Sequence, residues 1–189
     1  MQPGSPDEER VRILTLEAFA DTIIPGEKRS PDDRAIAGVA TGGGAVAAGA
    51  IEVLEMDATG ITAGLAFMAP MLNSHAEAHA AERGLELDDS VPAFVALDYE
   101  DRAALVEKLV APGHPERDGW VLIALFSNMA YDCAPHMNTG AALAAGHPGL
   151  TAMGFAKPEA DGLWRFGEYS YGRKLAELHP DTNATGSLA

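Results

Sequence analysis

His75 and His79 stand one helical turn apart in SHAEAHAAER, and Glu82 follows on the same side of that predicted helix. Two imidazoles at this spacing with a carboxylate on the next turn form a donor set for a divalent metal. The stretch also alternates alanine with polar residues, as a solvated helix face does, and no second segment offers the Glu-x-x-His set of a di-iron bundle. No metal is assigned; His75, His79 and Glu82 are the residues that would hold one. Cys133 and His136 form a C-x-x-H, which can set a thiol beside a base or supply half of a metal site. The chain has no second half, since Cys133 is its single cysteine. A lone cysteine at a buried helix end also serves as a small packing group, and no residue is given a catalytic role. Gly42, Gly44 and Ala47 match a G-x-G-x-x-A spacing. A dinucleotide turn needs a strand before it and a βαβ unit around it, and neither is legible, so the reading is a Gly-rich turn leading into a closely packed helix.

The remaining candidates suit contact better than catalysis. His147-Pro148-Gly149 reads as a turn carrying an interface histidine, and Asn138 lies in the same Gly/Ala/Pro-rich stretch. Trp164, Phe166, Tyr169 and Tyr171 are interrupted by Gly162, Gly167 and Gly172, a spacing that a continuous helix would not use. Tyr and Trp offer large area with a polar tip, which suits a partner surface as well as a core. The expected contact set is Cys133, His136, Asn138, His147, Phe155, Trp164, Phe166, Tyr169 and Tyr171.

These residues hang on a chain that reads as all helical: a single irregular bundle of about six helices with a long loop near the C-terminus. Residues 1–5 read as a disordered leader, 6–178 as the helical domain and 179–189 as a flexible tail. Ser5 caps an amphipathic helix over 6–24 that stops at Pro25-Gly26. A long helix over 58–83 carries Pro70 inside it, which predicts a kink or a break. Asp98 and Asp101 resemble a capping box opening a helix that stops at Pro112-Gly113. From Trp120 to Cys133 the apolar residues cover nearly the whole circumference, which predicts a helix crossing the core. Beyond it lie roughly twenty residues with no clear period, and ordered loops of that length are often functional. A short helix over 168–178 completes the reading.

Charge narrows the classes of partner. With 13 basic against 28 acidic residues, the formal net charge is -15, which disfavours nucleic acid and anionic membrane. No stretch reaches the roughly eighteen apolar residues of a membrane span. The N-terminus has neither twin arginines nor the apolar core of a signal peptide, so a cytoplasmic location is expected.

Two islands, LEAFADTIIPG (16–26) with the polar loop and Ala/Gly-rich helix after it, and FVALDYEDRAALVEKLVA (94–111) with the buried helix and the loop AYDCAPHMNTGAALAAGHPGLTAMGFAKP (130–158) after it, follow one another in an order and spacing that resemble the gluconate 2-dehydrogenase subunit 3 family. The matching positions are Ala20, Asp21, Ile23, Ile24, Pro25, Phe94, Leu97, Tyr131, Pro135, Gly140, Gly149, Gly154 and Phe155, and the similarity spans residues 12–158. Leu150 lies near the place of that family's final-turn tryptophan, and Asn138-Thr139-Gly140 replaces its Gly-Gly-Asn. The resemblance implies a small accessory subunit without a cofactor of its own. It would bind and stabilise or mature a large FAD-containing oxidoreductase of the glucose–methanol–choline (GMC) type, acting on alcohol- or sugar-like substrates. A cytochrome subunit is the third component such a complex can include. Two other readings stand beside it: a stand-alone helical enzyme with a metal or Cys/His site, and a small-molecule-binding or regulatory module with a sizeable apolar pocket.

Overall fold

Ser5 starts the first helix. Its hydroxyl accepts a hydrogen bond from the Glu8 amide while the Glu8 carboxylate accepts one from the Ser5 amide, and Pro6 takes the first helical position, where its missing N–H costs nothing. The resulting helix, α1, runs Pro6–Ile23. The computed structural model describes residues 5–155 and Asp181.

Every residue from Thr15 to Thr22 is buried. The pattern predicts an amphipathic α1 and a buried helix at 120–133, and the structure exchanges the two roles. α2 (Ala50–Leu54), α3 (Thr62–Arg83), α4 (Ala93–Ala96), α5 (Tyr99–Val110) and α6 (Arg117–Cys133) all pack on α1. Phe19 is the centre of the core. Its ring lies 6.3 Å from Phe94 and 6.0 Å from Trp120, with Leu16, Leu65, Leu72, Leu105, Leu109 and Ile123 filling the same cluster. Each such side chain contributes roughly 1.5–3 kcal/mol when fully buried.

Two carboxylates are enclosed with this helix, and each has a specific answer to its burial. Asp21 accepts hydrogen bonds from the Gly26 amide at 3.0 Å and the Ala37 amide at 2.8 Å. Burial raises its pKa, against the pull of those two amides and of Arg102. Glu17 pairs with both terminal nitrogens of Arg29, whose Nε reaches Asp33 at 2.7 Å. Asp33 in turn accepts from the Ala35 and Ile36 amides. The loop after α1 is thereby tied back to α1. Arg102, only 3% exposed, ties its other side: it donates to the carbonyls of Leu97, Ala35, Arg34 and Val95. Burial lowers the pKa of that guanidinium, and Asp21 opposes the shift from a distance.

The glycines at 42–44 serve a chain crossing. Glu27 donates to the Gly42 carbonyl at 2.8 Å and Ala45 to the Ile24 carbonyl at 3.0 Å. A Cβ on Gly44 would lie 2.4 Å from the Ile24 oxygen. Residues 45–49 then form turns, and only Ala50–Leu54 are helical, so the helix expected after the glycines is a short one. α3 continues through Pro70 without a break. The bond that Pro70 cannot make would go to the Ala66 carbonyl, and both residues are exposed, so water can take its place. Gly84 ends α3 in the left-handed region, and Asp98 caps α5 through the Asp101 amide at 2.9 Å.

The stretch after α6 is not the irregular loop expected. It holds α7 (Thr139–Ala144) and α8 (Pro148–Ala152). The fold is all α: four longer helices and four short ones, with no strand among the described residues. None of these helices is long and apolar enough to cross a membrane. The expected helix over 168–178, and Trp164, Phe166, Tyr169 and Tyr171, lie outside the described residues.

Replacing Asp21 by Ala leaves two inward-facing amides without an acceptor, and chemical denaturation should show a loss of about 1–3 kcal/mol. Amide exchange at Gly26 and Ala37 should accelerate in the same variant. Wild-type stability in Asp21→Ala would mean that the loop is held by something else.

Candidate functional site

α6 is built with two apolar sides. Trp120, Ile123, Ser127 and Ala130 are buried, a helical spacing that turns them all inward. On the other side Leu122 is 38% and Leu125 48% exposed. Met129 is half-buried, and Cys133 is exposed at the end of the same stripe. The helix is therefore a wall of the core and not its centre. Beside its N-terminal turn, Met68 of α3 packs on Gly119, where a Cβ would lie 3.0 Å from the end of the Met68 side chain. The next residue along α3, Phe67, is 67% exposed. Met137, Met153 and Phe155 extend the series of exposed apolar side chains past the end of α6.

The turns after α6 use their polar side chains on the backbone. Ala134 ends the helix with φ 46, a conformation rare outside glycine. Asn138 caps α7, its side-chain oxygen accepting from the Gly140 and Ala141 amides. His147 caps α8: Nδ1 accepts from the Leu150 amide at 3.3 Å, and Nε2 donates to the Ala48 carbonyl at 3.1 Å. A carbonyl only accepts, so the neutral ring carries its proton on Nε2. The side chain is 6% exposed, and both of its nitrogens are engaged within the chain. Gly149 lies so close to α6 that a Cβ there would sit 1.8 Å from the Tyr131 carbonyl oxygen. Leu150, near the place of the absent tryptophan, is buried with Ala134 and Ala142.

His136 lies against Gly49, with its ring 6.3 Å from that of His147. Burial lowers its pKa, with the nearby Glu52 carboxylate pulling the other way. Its Nδ1 is buried without a hydrogen-bond partner, as is one oxygen of Asp132, whose other oxygen accepts from Asn128. Cys133 does not turn toward this imidazole: its thiol donates to the Met129 carbonyl at 3.3 Å. Although the residue is exposed, partial desolvation of its sulfur, reinforced by the Asp132 carboxylate, pushes the thiol up to about 11. A nucleophilic cysteine needs the opposite shift, so Cys133 and His136 are sequence neighbours that do not form a nucleophile–base pair.

His75, His79 and Glu82 share the α3 face predicted for them, but each is engaged separately. His75 Nε2 meets a Glu116 oxygen at 2.8 Å, and the same oxygen accepts from the Trp120 indole. That contact with His75, ahead of the Trp120 bond, holds the Glu116 pKa below the ordinary glutamate range. His79 Nε2 meets Asp101 at 3.1 Å, and Arg83 reaches the same oxygen at 2.7 Å. Glu82 faces Lys108 at 3.4 Å. Among the described residues no group of three His, Cys, Asp or Glu is placed to hold a metal ion.

An open cleft of about 700 Å³ lies between the loop after α1 and the start of α5, lined by Lys28, Arg34, Val39, Asp98, Tyr99 and Glu100 among others. It is charged at the rim and does not involve the 134–155 segment, unlike the pocket that the small-molecule reading expects. Leu122, Leu125 and Phe67 are the exposed residues that sequence reasoning missed. The signal of the two leucines was present as the excess of apolar residues around α6, but it was read as burial on every side.

A family model described as a family of unknown function (DUF5987) matches residues 10–189, and the chain belongs to that family. No curated protein and no solved structure matches it.

Thiol alkylation gives a direct check on Cys133. Its rate should still be climbing through pH 10, as a thiol at about 11 requires. A rate that levels off near neutral pH would reveal an activated thiolate instead.

Proposed function

We propose that this member of the DUF5987 family is a docking subunit without a catalytic centre of its own. Its partner would be a large FAD-dependent oxidoreductase of the GMC type, which it stabilises or matures. The observation that carries the docking role is the outward stripe of α6, where Leu122 and Leu125 face water on a helix whose other side already fills the core. A scattered exposed leucine needs no explanation, whereas a stripe of apolar side chains along one helix marks an interaction surface. Covering what remains exposed of each of these side chains on a partner is worth roughly 0.5–1.5 kcal/mol.

The class of partner comes from the resemblance of residues 16–26, 94–111 and 130–158 to the gluconate 2-dehydrogenase subunit 3 family. FAD belongs to the large subunit in that reading, and the alcohol- or sugar-like substrate is bound there too. The use of Asn138 and His147 as helix caps favours this reading over a stand-alone enzyme, because these two polar side chains build the fold. So does the raised pKa of Cys133.

Co-expression with a GMC-type flavoprotein of the same organism, followed by size-exclusion chromatography, tests the proposal. The two chains should elute together. Leu122→Glu combined with Leu125→Glu should release the small subunit while leaving its own thermal melt within a few degrees of wild type, as surface substitutions do. Separate elution of the wild-type chains, with the flavoprotein fully active alone, would overturn it.

A further inference from the structure

Between Ala35 and Glu82, and again between Asp118 and Phe155, the chain contains no lysine and no arginine. The first stretch supplies α2 and nearly all of α3. The second supplies all but the first residue of α6, together with α7 and α8. α2 packs along α6, its Ala50 and Val53 in one cluster with Phe126 and Ala130, and Asp118 stands one helical turn before Leu122, so cation-free segments supply much of this side of the chain. Their acids face outward: Glu52, Glu55 and Asp57 are exposed, and the Asp118 side chain is 96% exposed at the start of α6. Among the described residues two of these acids have a cationic partner, while Glu52 and Asp57 have none. Arg12 lies between Glu9 and Glu55, and Arg117 lies 3.4 Å from Asp118.

An apolar stripe open to water favours pairing with a second copy of itself. Here that pairing would set two acid-rimmed faces against each other, on chains each carrying a formal charge of -15. Like charges brought together at an interface oppose association. A surface of opposite sign meets the reverse situation: the same acids speed encounter and fix register. We infer that the α6 face takes a partner whose contact surface is an apolar groove rimmed with lysine and arginine, and that its acidic surround keeps copies of this chain apart. The inference rests on the docking reading of α6 and names the chemistry of what docks.

Two synthetic amphipathic helical peptides provide the test, both with leucines along one side, one with lysines and one with glutamates on the other. Fluorescence anisotropy with the isolated chain at low salt should show the lysine peptide binding about tenfold tighter or more, with the gap closing as salt shortens the Debye length from about 30 Å to about 10 Å. Leu122→Glu with Leu125→Glu adds negative charge, so mere charge attraction would strengthen lysine-peptide binding; docking on the stripe requires it to be lost. Glu52→Lys with Asp118→Lys, at exposed positions that leave the core untouched, should narrow the preference and bring dimers into view in analytical ultracentrifugation. Equal binding of the two peptides, or undiminished binding by the leucine variant, would overturn the inference. A sustained lysine preference alongside failure to co-elute with a flavoprotein would keep this inference and remove the flavoprotein reading. A salt-indifferent complex with the flavoprotein, together with equal peptide binding, would do the opposite.

Discussion

The second half of α1 is enclosed on all sides, and the rest of the structure follows from how that is made tolerable. A helix carrying Glu17 and Asp21 would ordinarily keep those residues in water. Here Asp21 faces the Gly26 and Ala37 amides, and Glu17 faces Arg29, so the charges are matched at the cost of fixing the chain that follows. The loop from Ile24 to Ala37 is consequently neither free nor peripheral. It closes the end of α1, crosses the glycines at 42–44, and is held from behind by the buried guanidinium of Arg102. Removing one partner from such a set leaves a buried group unsatisfied, which is why these ties are stronger than their number suggests.

With α1 in the centre, α6 is left at the margin. Trp120 and Ile123 reach inward to Phe19 and its cluster, while the opposite side of the helix has nothing of the α1–α5 layer over it. The segment after Cys133 folds back closely because small residues permit it: Gly149 meets the Tyr131 carbonyl, and Gly49 makes room for His136. Among the described residues the outer stripe of α6 stays open beside that packing. A helix apolar on both sides but covered on one is the physical basis for the docking proposal.

The local signals in the sequence were largely readable. Ser5 with Glu8, Asp98 with Asp101, and Gly84 after Arg83 mark element ends through chemistry that acts within a few residues. What escaped is what depends on distant partners. α1 read as amphipathic because the Ala37 amide that bonds Asp21 and the Arg29 that pairs with Glu17 lie in a later loop. α6 read as buried because periodicity reports how many sides are apolar and not how many are covered. Asn138 and His147 read as groups awaiting a partner, although both cap the next helix. Those caps were harder to see because α7 and α8 are too short to show a period. For the candidate site, then, the segment was legible while the roles of its side chains were not.

The account depends most on the outer side of α6 being the surface that another protein covers. Hydrogen–deuterium exchange of the chain, alone and mixed with its GMC-type flavoprotein, measures that coverage residue by residue. Slowed exchange concentrated along α6 and the early turns of α3, with α1 unchanged because it is already enclosed, is the predicted footprint. Protection confined to the cleft between Lys28 and Tyr99, or none anywhere, would contradict it.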